Sequence, residues 1–285
     1  MTILASHEGS AAGQQRADGI RLLVSDIDGT LVRKDKTLSD ANRDEILALA
    51  ADGVAITLIS SRPPSGITKL AQTLQLTGPL AAFNGGTLFD IDGRIRFAHR
   101  IEEADAAAVL RMIDRPGITP WVFADGMWFA AAPGNPHLPR ERLASALEPV
   151  FRTDFTDLGG RIDKIVGVSD DHELLRRMEA RAIAMLGERA TVARSQPYYL
   201  DITHRLANKG DGVVALARAF GVGMAQTAVL GDMPNDLPMF ARGGFSVAMG
   251  QAPPEVQASA DAVAATNEDN GVADAIVRFI RPRIA

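Results

Sequence analysis

Residues 22–31 read Leu22-Leu23-Val24-Ser25-Asp26-Ile27-Asp28-Gly29-Thr30-Leu31. A short apolar run ends in two carboxylates two residues apart, and Gly29 then frees the backbone to turn. Along an extended chain residues i and i+2 project to the same side. Asp26 and Asp28 therefore share one face where a buried strand ends. Like charges this close repel, and a cation beside them relieves the repulsion. Asp-Gly is also ordinary turn chemistry. The stretch alone leaves a surface turn and a charged site both open, and the surrounding sequence must discriminate.

From Arg21 onward, short apolar runs alternate with amphipathic segments. Leu22–Ser25 predicts a strand. Ser39 or Asp40 caps a helix whose apolar face is Ile46, Leu49 and Ala50, with Gly53 as its stop. Residues 54–59 form a second β-branched run, followed by Arg62-Pro63-Pro64 and a helix through Leu70 and Leu74. A third strand, 80–83, ends at Asn84-Gly85-Gly86. This alternation implies an α/β fold with parallel strands and crossover helices.

The texture then changes. Residues 87–90 and 94–97 flank Asp92-Gly93, and 121–124 and Met127–Ala130 flank Asp125-Gly126, so both pairs read as hairpins. Helices at Glu103–Ile113 and His172–Leu186 and strands at 164–168 and 198–202 complete an α+β insert. After Lys209 the first texture returns, with a helix over 213–220 stopped by Gly221, strands at 228–230 and Phe245–Ala248, and a closing helix over 271–280. The sequence thus divides into a flexible N-terminal segment (1–19), a core (20–86 and 207–285) and an inserted α+β domain (87–206).

Composition narrows the function. The 285 residues are 46% hydrophobic and 23% charged, ordinary for a globular protein, with aromatics at only 5%. A net charge of −5 without a basic run argues against nucleic acid as a partner, since phosphate-backbone binding needs clustered Lys and Arg. The absence of cysteine excludes disulfides, thiolate metal sites and cysteine nucleophiles. No segment approaches the roughly 20 apolar residues that span a bilayer, and the N-terminus lacks the pattern of a secretory signal. No membrane partner and a cytoplasmic location are the expectation.

Polar residues follow the apolar strands repeatedly: Asp26 and Asp28 the first, Ser60 and Ser61 the second, Asn84 the third, Asp232 the strand after the insert. In open α/β sheets ligands bind outside the carboxyl ends of the strands, so these residues can converge on one crevice. Lys209, at the helix before the last of these strands, reaches the same place. Asp26, Asp28, Asp232 and Asp236 offer hard oxygen ligands without His or Cys, a set that suits Mg²⁺. Metal, ammonium and a Ser hydroxyl together fit a phosphoryl group. Walker-type loops are absent, which makes a carboxylate the candidate nucleophile.

These motifs resemble those of the haloacid dehalogenase-like (HAD) phosphohydrolases, in particular the Cof-like group with a large α/β cap between the second and third motifs. Asp26-Ile27-Asp28-Gly29-Thr30-Leu31 matches the first motif. Ser60-Ser61-Arg62-Pro63 stands where Thr-Gly-Arg-Pro is usual, Asn208-Lys209-Gly210 resembles the lysine motif, and Gly231-Asp232-Met233-Pro234-Asn235-Asp236 the last acidic motif. The resemblance implies a Rossmann-like parallel-sheet core with an α+β cap. It further implies that Asp26 attacks phosphorus and that Asp28 protonates the leaving alcohol and then activates water. Mg²⁺ would bind Asp26, the Asp28 carbonyl and Asp232, with Asp236 a ligand or a neighbour of one. Ser60 and Lys209 would hold the phosphoryl oxygens, Asn235 would orient the nucleophile or the lysine, and Arg62 and Asn84 would face the substrate. Ser61 in place of glycine leaves open which serine presents its hydroxyl, and Met233-Pro234 stiffens its loop. The substrate class implied is a small phosphorylated metabolite, with sugar or polyol phosphates leading.

Each residue also has a plainer reading. Lys209 can be a surface lysine, Asn235 and Asp236 helix caps, Arg62 a carboxylate partner, and Asn84 part of a tight turn. His99, His137, His172 and His204 show no paired metal spacing and read as surface or structural, and Trp121 and Trp128 as packing. The tetrapeptide recurs at Asp90-Ile91-Asp92-Gly93, but an alternating strand follows it, so this copy reads as a hairpin turn. Two other functions keep the same residues: a phosphomutase, and a non-catalytic module binding Mg²⁺ and a phospholigand.

Overall fold

The computed structural model describes residues 19–284, so the expected N-terminal segment lies, but for Gly19, outside the described residues. β1 (Leu22–Ser25) is buried at all four positions. Leu23 packs into one apolar cluster while Leu22 and Val24 pack into another on the opposite face. Burial on both sides is why the run is continuous rather than alternating, and each such side chain contributes about 1.5–3 kcal/mol. α1 (Asp40–Ala51) follows, with the Ser39 hydroxyl accepting from the Asn42 N–H at 3.2 Å. Its buried stripe is Asn42, Ile46 and Leu49. Ala50, expected on that stripe, is exposed, because at 100° per residue it sits at the stripe's margin. Asn42 takes the place instead, bonding the Leu31 carbonyl and the Ala273 N–H.

β2 (Ala55–Leu58) and α2 (Ser65–Thr73) lead to β3 (Leu80–Ala82). The apolar run of β3 predicts a further parallel strand, but β3 pairs with the parallel sheet only through the single bridge Ile59–Ala81. The chain takes positive φ at Phe83, Asn84 and Gly85, which no strand can continue through, and doubles back into β4 (Thr87–Phe89) and β5 (Ile95–Ala98). The hairpin around Asp92-Gly93 forms as its sequence predicts, yet it pairs with β3 in a three-stranded antiparallel sheet. The second Asp-Ile-Asp-Gly copy is its turn: Gly93 has φ +89° and Asp90 pairs with Arg94 and Arg96.

The chain next builds a six-stranded unit from α3 (Glu103–Ile113), β6 (Thr119–Ala124), β7 (Met127–Ala130), α4 (Leu138–Ser145), β8 (Pro149–Phe151), β9 (Ile162–Val168), α5 (His172–Leu186), β10 (Ala190–Gln196) and β11 (Tyr199–His204). The order is β10-β11-β9-β6-β7-β8, antiparallel except for β7 with β8. Residues of α3 and α5 join one apolar cluster with one face of this sheet. The other face, through Trp121, Phe123, Trp128 and Tyr199, joins the cluster of the parallel-sheet unit. Three elements carried no clear sequence signal. α4 buries Glu141 and Ser145 while exposing Leu143, and β8 and β10 are sheet edges without an apolar stripe.

α6 (Lys209–Phe220) returns the chain, stopped by Gly221 in the left-handed region. β12 (Thr227–Gly231), α7 (Leu237–Phe240), β13 (Phe245–Ala248), α8 (Pro254–Gln257), β14 (Ala262–Val263) and α9 (Gly271–Ala275) complete it. The five-stranded sheet runs β14-β13-β12-β1-β2 and is parallel throughout. β1 lies between β2 and β12, so the chain winds outward from it in both directions. Such a switch point opens a crevice at the strands' carboxyl ends, and there Ser25 is in register with Leu230.

Candidate active site

That register sets Asp26, one residue beyond β1, beside Gly231 and Asp232, beyond β12. The Asp26 N–H bonds the Leu230 carbonyl at 2.9 Å and its carboxylate is buried. Gly29, at φ +86°, turns the chain away from the sheet. A Cβ at this glycine would lie 2.2 Å from Asp232 Oδ2, so no other residue fits here without moving that carboxylate. Thr30 Oγ1 donates to Asp232 Oδ1 at 3.0 Å.

α6 delivers the cation. Asn208 Oδ1 caps it through the Asp211 N–H at 2.9 Å, and Lys209 points inward with 2% of its surface exposed. Its Nζ donates to Asp26 Oδ1 at 2.5 Å and Asp236 Oδ1 at 2.6 Å. Asp236 is fully buried, and its Oδ2 accepts from the backbone N–H groups of Asp232 (2.8 Å) and Met233 (2.9 Å). This carboxylate therefore holds both the lysine and the loop that carries Asp232.

The electrostatics follow from three buried carboxylates sharing one lysine. Burial, with Asp236 and Asp28 nearby, raises Asp26 to about 7 despite Lys209. Asp232 is pushed well above the carboxylate range by burial and by Asp26 and Asp236. Burial works against a charged Lys209, but Asp236 and Asp26 outweigh it and hold the ammonium above an ordinary lysine. The centre carries an excess of negative charge. Oxygens of Asp26, Asp232 and Asp236 lie within 4.8 Å of one another, a hard-donor set that fits a divalent cation. Because both Asp236 oxygens are already engaged, Asp26 and Asp232 are the carboxylates left to face such an ion.

Asp28 is held separately. Arg62 grips it through Nε–Oδ2 at 2.7 Å and Nη2–Oδ1 at 2.8 Å, and Lys36 Nζ also bonds Oδ1. Burial would raise this carboxyl, but the two cations outweigh it and keep it well below the usual range. Arg62, for which the sequence leaves a substrate contact and a carboxylate partner both open, is in this arrangement the partner of Asp28, with Nη1 on the Gly66 carbonyl at 3.0 Å.

Ser60, 1% exposed, accepts the Arg62 N–H on Oγ at 3.2 Å, which leaves its own proton free to donate. Ser61 is only half-buried, and its carbonyl accepts from Lys164 Nζ at 3.0 Å. Asn84 is buried in a left-handed conformation. Asn235, expected to orient the nucleophile or the lysine, instead donates to Asn84 Oδ1 at 3.2 Å. The 3₁₀ turn Pro234–Asp236, begun by proline, tilts Asn235 toward that loop while Asp236 turns inward.

Sequence reasoning missed four residues here: Thr30, Lys36, Glu141 and Lys164. Lys36 sits in a polar loop at φ +69°, with nothing local to single it out. Lys164 did carry a signal, since it shares a strand face with Val166 and Val168 and is itself 4% exposed. A lysine on an apolar strand face calls for a partner.

A parallel α/β sheet with an acidic, lysine-bridged centre at its switch point, lidded by a second unit, defines an enzyme of the phosphatase class. The chain belongs to the haloacid dehalogenase-like hydrolase family, whose sequence model matches residues 23–276. It is 28% identical over 242 residues to the HMP-PP phosphatase of Cronobacter sakazakii, covering 84% of this chain and 87% of that protein. It is 24% identical over 278 residues to a 5-amino-6-(5-phospho-D-ribitylamino)uracil phosphatase of Bacillus subtilis, covering 89% and 96%. A haloacid dehalogenase-like hydrolase from Bacteroides thetaiotaomicron superposes with a TM-score of 0.80 at 26% identity, covering 91% of this chain and 99% of that one. No described helix is long and apolar enough to cross a membrane.

Proposed function

We propose that this enzyme is a Mg²⁺-dependent phosphatase of small phosphate monoesters, sugar or polyol phosphates foremost, acting through an aspartyl-phosphate on Asp26. The observation that carries the reading is the buried bridge from Lys209 to Asp26 and Asp236 beside Asp232. Asp26 attacks phosphorus and the bond to the leaving oxygen breaks, that oxygen taking a proton from Asp28. A water then gives its proton to Asp28 and attacks the aspartyl-phosphate, releasing inorganic phosphate and restoring Asp26. Asp26 and Asp232 are the side chains that would hold Mg²⁺, which would there offset the negative charge of the carboxylates and the phosphoryl oxygens. Lys209 keeps Asp26 in place and offers a second positive charge to the phosphoryl group. The Ser60 hydroxyl, whose proton has no other acceptor among the described residues, donates to the same group.

Arg62 and Lys36 hold Asp28 ionised, the form the water-activating step requires. The proton Asp28 takes from the hydrolytic water is the one it gives to the leaving oxygen of the next ester. The six-stranded unit acts as the cap, excluding water and selecting the leaving group. The relatives' names support a small phosphorylated substrate, since one relative is named for HMP-PP and another for a phosphoribitylamino-uracil.

Purified enzyme with Mg²⁺ is expected to release phosphate from p-nitrophenyl phosphate, and Asp26→Asn to abolish the release. Equal release by wild type and Asp26→Asn would sink the proposal. Isomerised sugar phosphate without free phosphate would instead indicate a mutase.

A further inference from the structure

The chain passes between the parallel-sheet unit and the six-stranded unit twice, and a histidine stands at each crossing. On the way out, the His99 N–H bonds the Gly86 carbonyl at 2.7 Å, whereas the Ile101 N–H bonds the Ile162 carbonyl at 2.9 Å. On the way back, His204 ends β11 opposite Ala190 of β10. Ala207 then packs on Gly86 so closely that a Cβ at this glycine would lie 2.7 Å from that of the alanine. His99 is therefore fixed to the parallel-sheet unit and His204 to the six-stranded one. Their rings stack across the boundary, with centroids 5.2 Å apart and planes 17° from parallel, and Phe97 lies against His99 at 4.9 Å.

His204 also shapes the second crossing. Its Nδ1 accepts the Leu206 N–H at 3.1 Å, and its carbonyl accepts the Ala207 N–H at 2.8 Å. Thr203 Oγ1 donates to the Ala207 carbonyl and Asn208 Nδ2 to the Arg205 carbonyl, both at 3.1 Å. This turn runs straight into Asn208, which caps α6, and Lys209, which begins it. A ring nitrogen that accepts a hydrogen bond carries no proton, so the neutral imidazole holds its own on Nε2. A second proton must go to Nδ1, and an Nδ1–H cannot accept from Leu206. Charging the ring therefore breaks a bond of the turn and leaves two N–H groups facing each other.

We propose that His204 is a pH-sensitive positioning residue for Lys209: neutral, it holds the 204–207 turn that sets the start of α6, and protonated, it releases that turn. For its effect on turnover the proposal rests on the phosphatase reading, in which Lys209 holds Asp26 and faces the phosphoryl group. The surroundings of the ring favour the neutral form. Burial, His99 and Arg205 lower His204 below an ordinary histidine, and Glu102 opposes them only in part. Arg100 is turned away to Asp163 at 3.6 Å, and Arg189, just before Ala190, to Asp105 at 3.1 Å. The ring is thus neutral at pH 7, and acid loosens the start of α6 and with it the placement of Lys209.

The test compares wild type, His204→Ala and His204→Asn on p-nitrophenyl phosphate with Mg²⁺ between pH 8 and pH 5, read as kcat. Asparagine accepts the Leu206 N–H on its amide oxygen, as in an Asx-turn, and does not titrate. One hydrogen bond of ordinary strength corresponds to about three- to tenfold. At pH 8 His204→Ala should fall by that factor and His204→Asn should recover it. At pH 5 His204→Asn should exceed wild type by the same factor. Asp26, raised to about 7, titrates in all three proteins and cancels from these ratios. A ratio of His204→Asn to wild type that stays constant across the range would overturn the proposal. Nuclear magnetic resonance of wild type reads the same claim without turnover and without a variant. The His204 ring should titrate below an ordinary histidine from its Nε2–H tautomer, and the Leu206 and Lys209 amides should shift with the same midpoint. A Lys209 amide that stays still while His204 titrates would overturn the positioning role. Absence of phosphate release by wild type at every pH would refute the phosphatase reading instead, and the resonance titration would still decide the role of His204.

Discussion

Replacing Asp236 by alanine tests whether one carboxylate organises the centre. It is fully buried and accepts three hydrogen bonds, from Lys209 Nζ at 2.6 Å and from the N–H groups of Asp232 and Met233 at 2.8 and 2.9 Å. Hydrogen bonds to a charged group contribute about 1.5–3 kcal/mol each, and a buried donor left unpaired costs about 1–3 kcal/mol. Two offsets reduce the sum. Lys209 keeps Asp26 as a partner, and removing one of three crowded carboxylates relieves repulsion on Asp26 and Asp232. The expected loss is that of a broken buried pair, about 3–5 kcal/mol. With a urea dependence of about 3 kcal/mol per molar, the midpoint should fall by about 1–1.7 M. Lys209→Met in the Asp236→Ala background should cost about 2 kcal/mol less than in wild type, since the pair acts as a unit. Urea unfolding at pH 7 reads both quantities. A loss under about 1 kcal/mol, or strictly additive variants, would refute the account of Asp236 as organiser.

Gly29→Ala places a methyl where Asp232 Oδ2 stands and forces φ +86° on a residue with a side chain. Mg²⁺ should then activate at least tenfold less tightly, and an unchanged activation curve would contradict the close approach. Mg²⁺ at 100 times its dissociation constant should stabilise wild type by about 2.7 kcal/mol, a gain that Asp232→Asn should erase. EDTA should abolish turnover, and full activity in chelator would rule out the site. Burial raises Asp163 from 3.8 to about 6, partly offset by Arg100 at 3.6 Å. The folded protein therefore holds this proton up to about pH 6 and the unfolded chain only to about pH 4, so stability falls as pH rises through that window. Asp163→Asn removes the dependence, and its stability relative to wild type should grow by up to about 3 kcal/mol between pH 4 and 7. A difference that stays constant with pH would count against a buried, proton-holding Asp163.

Local sequence pattern was enough for the elements and residues that depend on near neighbours. The apolar run 22–25 could only be a strand buried on both faces, and Gly29, Gly93 and Gly221 marked turns that the backbone then takes. The strand ends also named Asp26, Asp28, Ser60 and Asp232, because a parallel sheet gathers its carboxyl ends on one side, and a helix start named Lys209. Context separated the two Asp-Ile-Asp-Gly copies, one following a buried strand and the other turning a hairpin.

Tertiary structure decided what depends on partners far apart in the chain. It set Asp236 on Lys209 and drew Asn235 to Asn84. It set Arg62 and Lys36 on Asp28, a pairing across 34 and 8 residues that no local pattern encodes. It sent β3 into an antiparallel sheet through three successive left-handed residues. It also gathered Trp121, Trp128, Tyr199 and Asp201 onto one face by strand register alone. Strand periodicity gives each residue a side, but only the pairing of strands says which residues share it.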